Sequence, residues 1–175
     1  MVALIDSYSE SNQNNISGIA VGNIAKGQTF AGIASKILSA KWYLSKEGLP
    51  TGNAVAKVYA MSGTFGTDGN VTGSALATSG NLDVSTLTTS LQLIEFTFSG
   101  ANQITLTAGT KYVLTVEFTG GDAGNYVNVG LDDSSSTHAG NYSVNSGGTW
   151  FPGNTLDFCF YLYGITTSPF PIFIP

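Results

Sequence analysis

The sequence predicts an all-β protein, an antiparallel two-sheet β-sandwich of jelly-roll-like form. Three observations carry that expectation. Stretches with an apolar residue at every second position recur from end to end, and 22 glycines with many Ser, Asn and Thr supply turns between them. No stretch of useful length has the 3.6-residue period of an amphipathic helix. At 175 residues and 42 % hydrophobic, with 10 Phe and 8 Tyr, the chain can bury one core without a metal or disulfide staple.

The elements follow in order. A short first strand near residues 4–8 leads into residues 10–23, whose Ser, Asn, Gln and Gly read as a loop, so 1–27 is expected to be an irregular lead-in. Regular structure begins at Gln28, Thr29 and Phe30. In 36–44, Leu38, Ala40, Trp42 and Leu44 alternate with Ser39, Lys41 and Tyr43, which places Trp42 in the core. The turn chemistry of Gly48, Pro50 and Gly52 precedes a strand over 54–61. Residues 62–74 read as a long exposed loop before a short strand at 75–78. The alternating runs 91–98 and 111–118 are expected to supply the centre of the core. Shorter strands follow at 126–131 and 141–144, and the nearly continuous apolar run 156–163 reads as a strand buried on both faces. No repeat or linker divides the chain, so 1–164 is expected to form a single sandwich domain.

Charge and composition exclude several functions. Six basic and eleven acidic residues give a net charge of −5 and a pI near 4.5, without the basic patch that phosphate backbones require, so no nucleic acid is expected as partner. The N-terminus turns polar at Asp6, which leaves no signal-peptide pattern, and no apolar run is long enough to span a bilayer. The lone Cys159, between Phe158 and Phe160, reads as a small buried apolar residue.

Reactive groups are few. His138 follows Asp132, Asp133 and Ser134 to Thr137, but a hydrolytic triad needs convergence in space, and the histidine is expected to be a solvent-exposed loop residue. No nucleophile elbow, metal-binding His/Cys spacing or phosphate loop occurs. Isolated carboxylates do not suggest the facing pair of a glycosidase. No catalytic residue, metal site or cofactor is therefore expected, although Asp68 with Asn70, and Asp132 with Asp133, offer oxygens of the kind calcium takes. Asn15, Asn70 and Asn141 begin N-x-Ser/Thr triplets, which matter only in a eukaryotic secretory setting. Aromatics offer more, since Tyr and Trp faces pack on sugar rings and anchor interfaces. Trp150 and Phe151, displayed after Gly147 and Gly148, form with Tyr142 the candidate ligand platform; capping the sandwich is the alternative role for Trp150.

Beyond Gly164 the sequence changes character. Ile165, Pro169, Phe170, Pro171, Ile172, Phe173, Ile174 and Pro175 combine prolines, which forbid a helix or central strand, with side chains costly to leave in water. Residues 165–175 are thus expected to be an extended arm, folded back over a sheet edge or reaching a neighbouring subunit.

The succession Gln28-Thr29-Phe30, the strand at 38–44, Gly48-Leu49-Pro50-Thr51-Gly52-Asn53, Gly73-Ser74-Ala75-Leu76-Ala77-Thr78, the strand at 91–98 and Leu106-Thr107-Ala108-Gly109-Thr110-Lys111-Tyr112 resembles a known type of domain. It is similar to the choice-of-anchor-type β-sandwich domains of bacterial surface proteins and tailed-phage structural proteins, over about residues 28 to 163. The resemblance implies a scaffold and carries no catalytic set. With no leader recognised, it points to a non-enzymatic phage virion protein, a capsid decoration or head or tail appendage. Such a protein would assemble in the host cytoplasm, become extracellular with the virion, and contact other virion subunits and copies of itself through the arm. The alternative is a carbohydrate-binding or adhesive module that meets a cell-surface glycan through exposed aromatics.

Overall fold

The computed structural model describes residues 1–166. It is an antiparallel two-sheet β-sandwich. One sheet has eight strands: β1 (Val2–Tyr8), β2 (Asn15–Ile19), β4 (Ser35–Glu47), β8 (Gln92–Thr97), β9 (Thr105–Leu106), β11 (Tyr126–Asp132), β14 (Asp157–Phe158) and β15 (Phe160–Thr166). The other has seven: β3 (Asn23–Ala31), β5 (Asn53–Ser62), β6 (Asn70–Thr78), β7 (Leu82–Asp83), β10 (Lys111–Phe118), β12 (Tyr142–Ser146) and β13 (Thr149–Gly153). The chain crosses repeatedly between the sheets, and its first strand pairs with its last, so the order β1-β15-β4-β11-β14 runs along the spine of the larger sheet. This is the jelly-roll-like sandwich that the alternating sequence predicts.

The core lies between the sheets because alternation along β4, β10 and β15 delivers every second side chain inward. Trp42, Phe30, Phe96, Phe158 and Phe160 are buried there, with the Trp42 ring 5.9 Å from Phe160 and 6.5 Å from Phe158. Cys159 is buried as expected, and burial pushes its thiol up to about 12.

Several expectations change. Beyond the expected first strand, now β1, residues 1–27 are not an irregular lead-in, since β2 and the start of β3 lie there. Strand β2 escapes the sequence pattern because, among the described residues, it pairs only with β11 and leaves half of its small polar residues in solvent, while Ile19 alone is driven into the core. Strand β6 begins at Asn70, which shortens the expected loop. The run 156–163 is two strands broken at Cys159, and β15 is not buried on both faces, since Tyr161 and Tyr163 point outward with rings 6.3 Å apart and nearly parallel. Strand β8 sends Phe96 into the core but, among the described residues, pairs only with β4, so it flanks the core centre rather than forming it. Ile165 belongs to β15, paired with Val2 and Lys36, and is not part of an arm. Pro169, Phe170, Pro171, Ile172, Phe173, Ile174 and Pro175 lie outside the described residues.

One irregularity positions the site. Up to Leu4, β1 pairs in register with β15 (Val2 with Ile165, Leu4 with Tyr163), and the register then shifts so that Asp6 opposes Leu162. The extra residue is a β-bulge, which turns both Ile5 and Asp6 to the inner side of the sheet. Gly164 makes this possible, because a Cβ there would lie 2.8 Å from Ile5 Cδ1 and 2.8 Å from the Lys36 carbonyl. Without the bulge, alternation would send Asp6 to the outer face beside Tyr161.

Candidate functional site

At one end of the sandwich, the end of β1, the end of β3 and the start of β10 meet the 63–69 and 133–141 loops around a cleft of about 620 Å³. Its walls include Asp6, Ser7, Ser9, Asn12, Lys111 and Thr137, with aromatic surface from Tyr8 and Phe65. His138 stands at its inner wall.

His138 is not the exposed loop residue the sequence suggests: its side chain is only 6 % exposed. The imidazole is wedged between aromatic neighbours, 5.5 Å from the Phe160 ring and 6.2 Å from Tyr8. Its Nδ1 accepts the Gly140 N–H at 3.0 Å, so the proton belongs on Nε2, which donates to Asp6 Oδ1 at 3.2 Å. Gln28 Nε2 also approaches Nδ1 at 3.3 Å. Both ring nitrogens are thereby occupied. The histidine holds the bulged Asp6 in place and has no free lone pair with which to take a proton from a ligand.

Behind the imidazole lies a buried polar layer. Asp157 accepts the His138 backbone N–H and the Gln28 amide, each at 2.8 Å, and burial pushes its carboxyl above the ordinary carboxylate range. Asp132 accepts the Tyr8 hydroxyl at 2.7 Å, the Ser134 and Ser135 N–H groups at 3.0 and 3.1 Å, and the Asn14 amide at 2.5 Å. The Tyr8 bond leads in holding its carboxyl well below the usual range. These donors fill Asp132, and it serves the fold as the anchor of its loop. Asp133 takes the Asn15 amide, and Asp68 Oδ1 caps its own turn by accepting the Thr64 N–H at 2.6 Å. Among the described residues no group of three or more His, Cys, Asp or Glu could hold a metal ion.

The Lys111 and Phe65 part of the lining is equally fixed. Lys111 opens β10 in register with Ala31, and its ammonium sits 4.3 Å from the centroid of the Phe65 ring. The Phe65 loop is tied down by Asn141, fully buried, whose Oδ1 accepts from Gly66 N and from Thr29 Oγ1, each at 3.2 Å. Asn141 also bonds β3 through its backbone, donating to Thr29 Oγ1 at 2.7 Å and accepting from Thr29 N at 2.8 Å. One carboxamide therefore joins both cleft loops to β3. Read from sequence only as a triplet, Asn141 is too deep to carry a glycan.

The expected platform is divided. Trp150 lies on the outer side of the seven-stranded sheet, edge-on to Tyr59 at 6.1 Å, where the sheet curls enough for Asn70 of β6 to donate to the Trp150 carbonyl at 3.3 Å. Phe151, in register with Val144, faces the other way and is 52 % exposed, while Tyr142 packs edge-on against the buried Phe158. Strand alternation sets Trp150 on the opposite face from Phe151 and Tyr142, and none of the three lines the cleft. Residues missed from sequence are Asp6, Phe65, Lys111 and Asn141. Only Gly140-Asn141 carried a local signal, that of a tight turn.

No protein-family model matches the chain, and no curated protein matches it in sequence. Among solved structures it is similar to the crystal structure of the cysteine protease and lectin-like domains of Cwp84, a surface layer associated protein of Clostridium difficile. The identity is 12 % and the TM-score 0.49, over 83 % of this chain and 32 % of that one. The chain thus spans about a third of that neighbour's length.

Proposed function

We propose that the protein is a non-catalytic carbohydrate-binding module whose ligand site is the cleft between Asp6 and Lys111. The supporting observation is the lining: hydroxyl, amide and carboxylate groups of Ser7, Ser9, Asn12, Thr137 and Asp6 around the aromatic surface of Phe65 and Tyr8. A sugar presents that pattern in reverse, with hydroxyls in its plane and C–H groups on its faces. The volume is of ligand-site size. Binding fits the site better than cleavage, because Asp6 is the one carboxylate among the lining residues and both nitrogens of His138 are engaged. The ligand place therefore moves from Trp150, Phe151 and Tyr142 to the cleft. A glycan array with the whole chain tests this, beside Asp6→Asn and Phe65→Ala. Binding weakened about tenfold or more in both variants is expected; a silent array, or unchanged binding in both, overturns the reading.

Assembly into a larger particle is the second reading. It is favoured by an exposed apolar row on the edge strand β1 and its partner, with Val2 62 %, Leu4 49 % and Ile165 39 % exposed on one face. Light scattering on the whole chain and on Leu4→Lys tests it. An oligomer that the substitution dissolves supports assembly through this row, and a monomer in both cases removes it.

A further inference from the structure

We propose that the cleft selects acidic sugars, with Lys111 receiving the carboxylate of a uronate-type residue and Asp6 receiving a hydroxyl of the same saccharide. This rests on the carbohydrate reading above and adds the substrate class. Cations are scarce in this chain, which has six lysines and no arginine. Lys57 is paired with Glu117 at 2.7 Å, Lys46 donates to the Ser85 carbonyl at 2.5 Å, and Lys26 is buried in β3. Among the described residues Lys36, Lys41 and Lys111 have no carboxylate within ion-pair distance, Lys41 lying over the Tyr163 ring, and of all six lysines Lys111 alone lines the cleft. Its ammonium rests on the Phe65 ring, which orients the charge without neutralising it or using its N–H donors.

The rest of the lining explains why the ligand is a sugar rather than a bare anion. Asp6 Oδ1 accepts both the His138 Nε2–H and the Ser7 N–H, at 3.2 and 2.8 Å, and among the described residues no protein donor reaches Oδ2. That oxygen is an acceptor for a hydroxyl, and Ser7, Ser9, Asn12 and Thr137 add further neutral donors and acceptors. A simple-anion site would gather cations or backbone N–H groups. Here one cation and one hydrogen-bonded carboxylate line the same cleft as several hydroxyl groups, the complement of a carboxylate beside ring hydroxyls.

Calorimetric titration of the whole chain with oligogalacturonate, oligomannuronate and a hyaluronan tetrasaccharide, each beside its methyl ester, tests the proposal. At least one acid is expected to bind about tenfold more tightly than its ester. The preference should shrink as NaCl is raised, vanish in Lys111→Met and persist in Lys111→Arg. Equal binding of acids and esters overturns the selection while leaving the cleft a sugar site. Acetate displacing the oligosaccharide at equal concentration overturns it in favour of a plain anion site. Silence toward every acid, with binding to neutral glycans on the array, removes this inference alone; silence toward all glycans removes the carbohydrate reading with it. The acid-against-ester and salt comparisons need no variant, so misfolding of Lys111→Met leaves the test decisive.

Discussion

Asn141 holds Gly69 by both ends of its backbone: Nδ2 donates to the Gly69 carbonyl at 2.9 Å, and Oδ1 accepts the Gly69 N–H at 3.1 Å. The same Nδ2 reaches the Tyr142 carbonyl at 2.9 Å, so the carboxamide spends its full donor and acceptor capacity inside the protein. A loop tethered in this way presents Phe65 in one position.

Asn141→Asp retains the shape and reverses one half of the pattern, setting an acceptor against the Gly69 and Tyr142 carbonyls. Each buried group left unpaired costs about 1–3 kcal/mol, so a loss of about 3 kcal/mol is expected in denaturant unfolding. Limited proteolysis should also begin cutting near Phe65.

Asp132→Asn should lower stability at neutral pH by about 2 kcal/mol, because an amide presents an N–H where the wild-type carboxylate accepts from a hydroxyl or backbone donor. The pH dependence has a definite sign. The folded carboxyl sits below its unfolded value, so its contribution is present above the ordinary carboxylate range near about pH 4 and is lost as pH falls through the lower folded value. Thermal melts from pH 7 to pH 2 should show a shallower acid limb in the variant.

Lys26, with Val116 and Val144 as cross-strand neighbours, is lowered to about 8 by burial. Between about pH 8 and 10.4 the unfolded chain binds the extra proton, so wild-type stability should rise with pH across that window. Lys26→Met should remove the rise and stabilise the protein at pH 7 by about 3 kcal/mol, at roughly 1.4 kcal/mol per pKa unit. Melting temperatures of both proteins at pH 7 and pH 10 check this.

Gly164→Ala sets a methyl against Ile5 and the Lys36 carbonyl. Overpacking of this kind costs about 1–3 kcal/mol, and its relief is to expel Ile5 and undo the bulge. Loss of stability should therefore come with loss of ligand affinity, although Gly164 does not line the cleft. Calorimetric affinity measured well below the melting point separates the two effects; affinity unchanged in the folded variant would show that the bulge survives.

The sandwich was legible where its faces differ in polarity. Trp42 and its alternating neighbours, and the run 111–118, announce an inner side directly. Strand β2 was not legible, since its short polar edge has the composition of a loop. Nor was the outward placing of Tyr161 and Tyr163, because an aromatic residue counts as apolar on either face of a strand. The cleft was hidden for a different reason. Asp6, Phe65, Lys111 and His138 come from four distant places in the chain, and what gathers them is a register shift against β15 and a carboxamide reaching across two loops. His138 looked exposed among serines and threonines because nothing local records that Phe160 and Tyr8 close over it.

The pairing of β1 with β15 sets an order of events during synthesis. Among the described residues β1 pairs in the sheet with β15 alone, with Asp6 opposite Leu162, and the Thr166 N–H meets the Met1 carbonyl at 3.3 Å. Strand β1 thus waits for β15, made more than 150 residues later, and contacts this remote in sequence close slowly. Asp6 rides on that strand, so synthesis must pass β15 before the cleft has its acidic wall. A nascent chain stopped before β15 could bury much of the second sheet and still be unable to recognise a ligand.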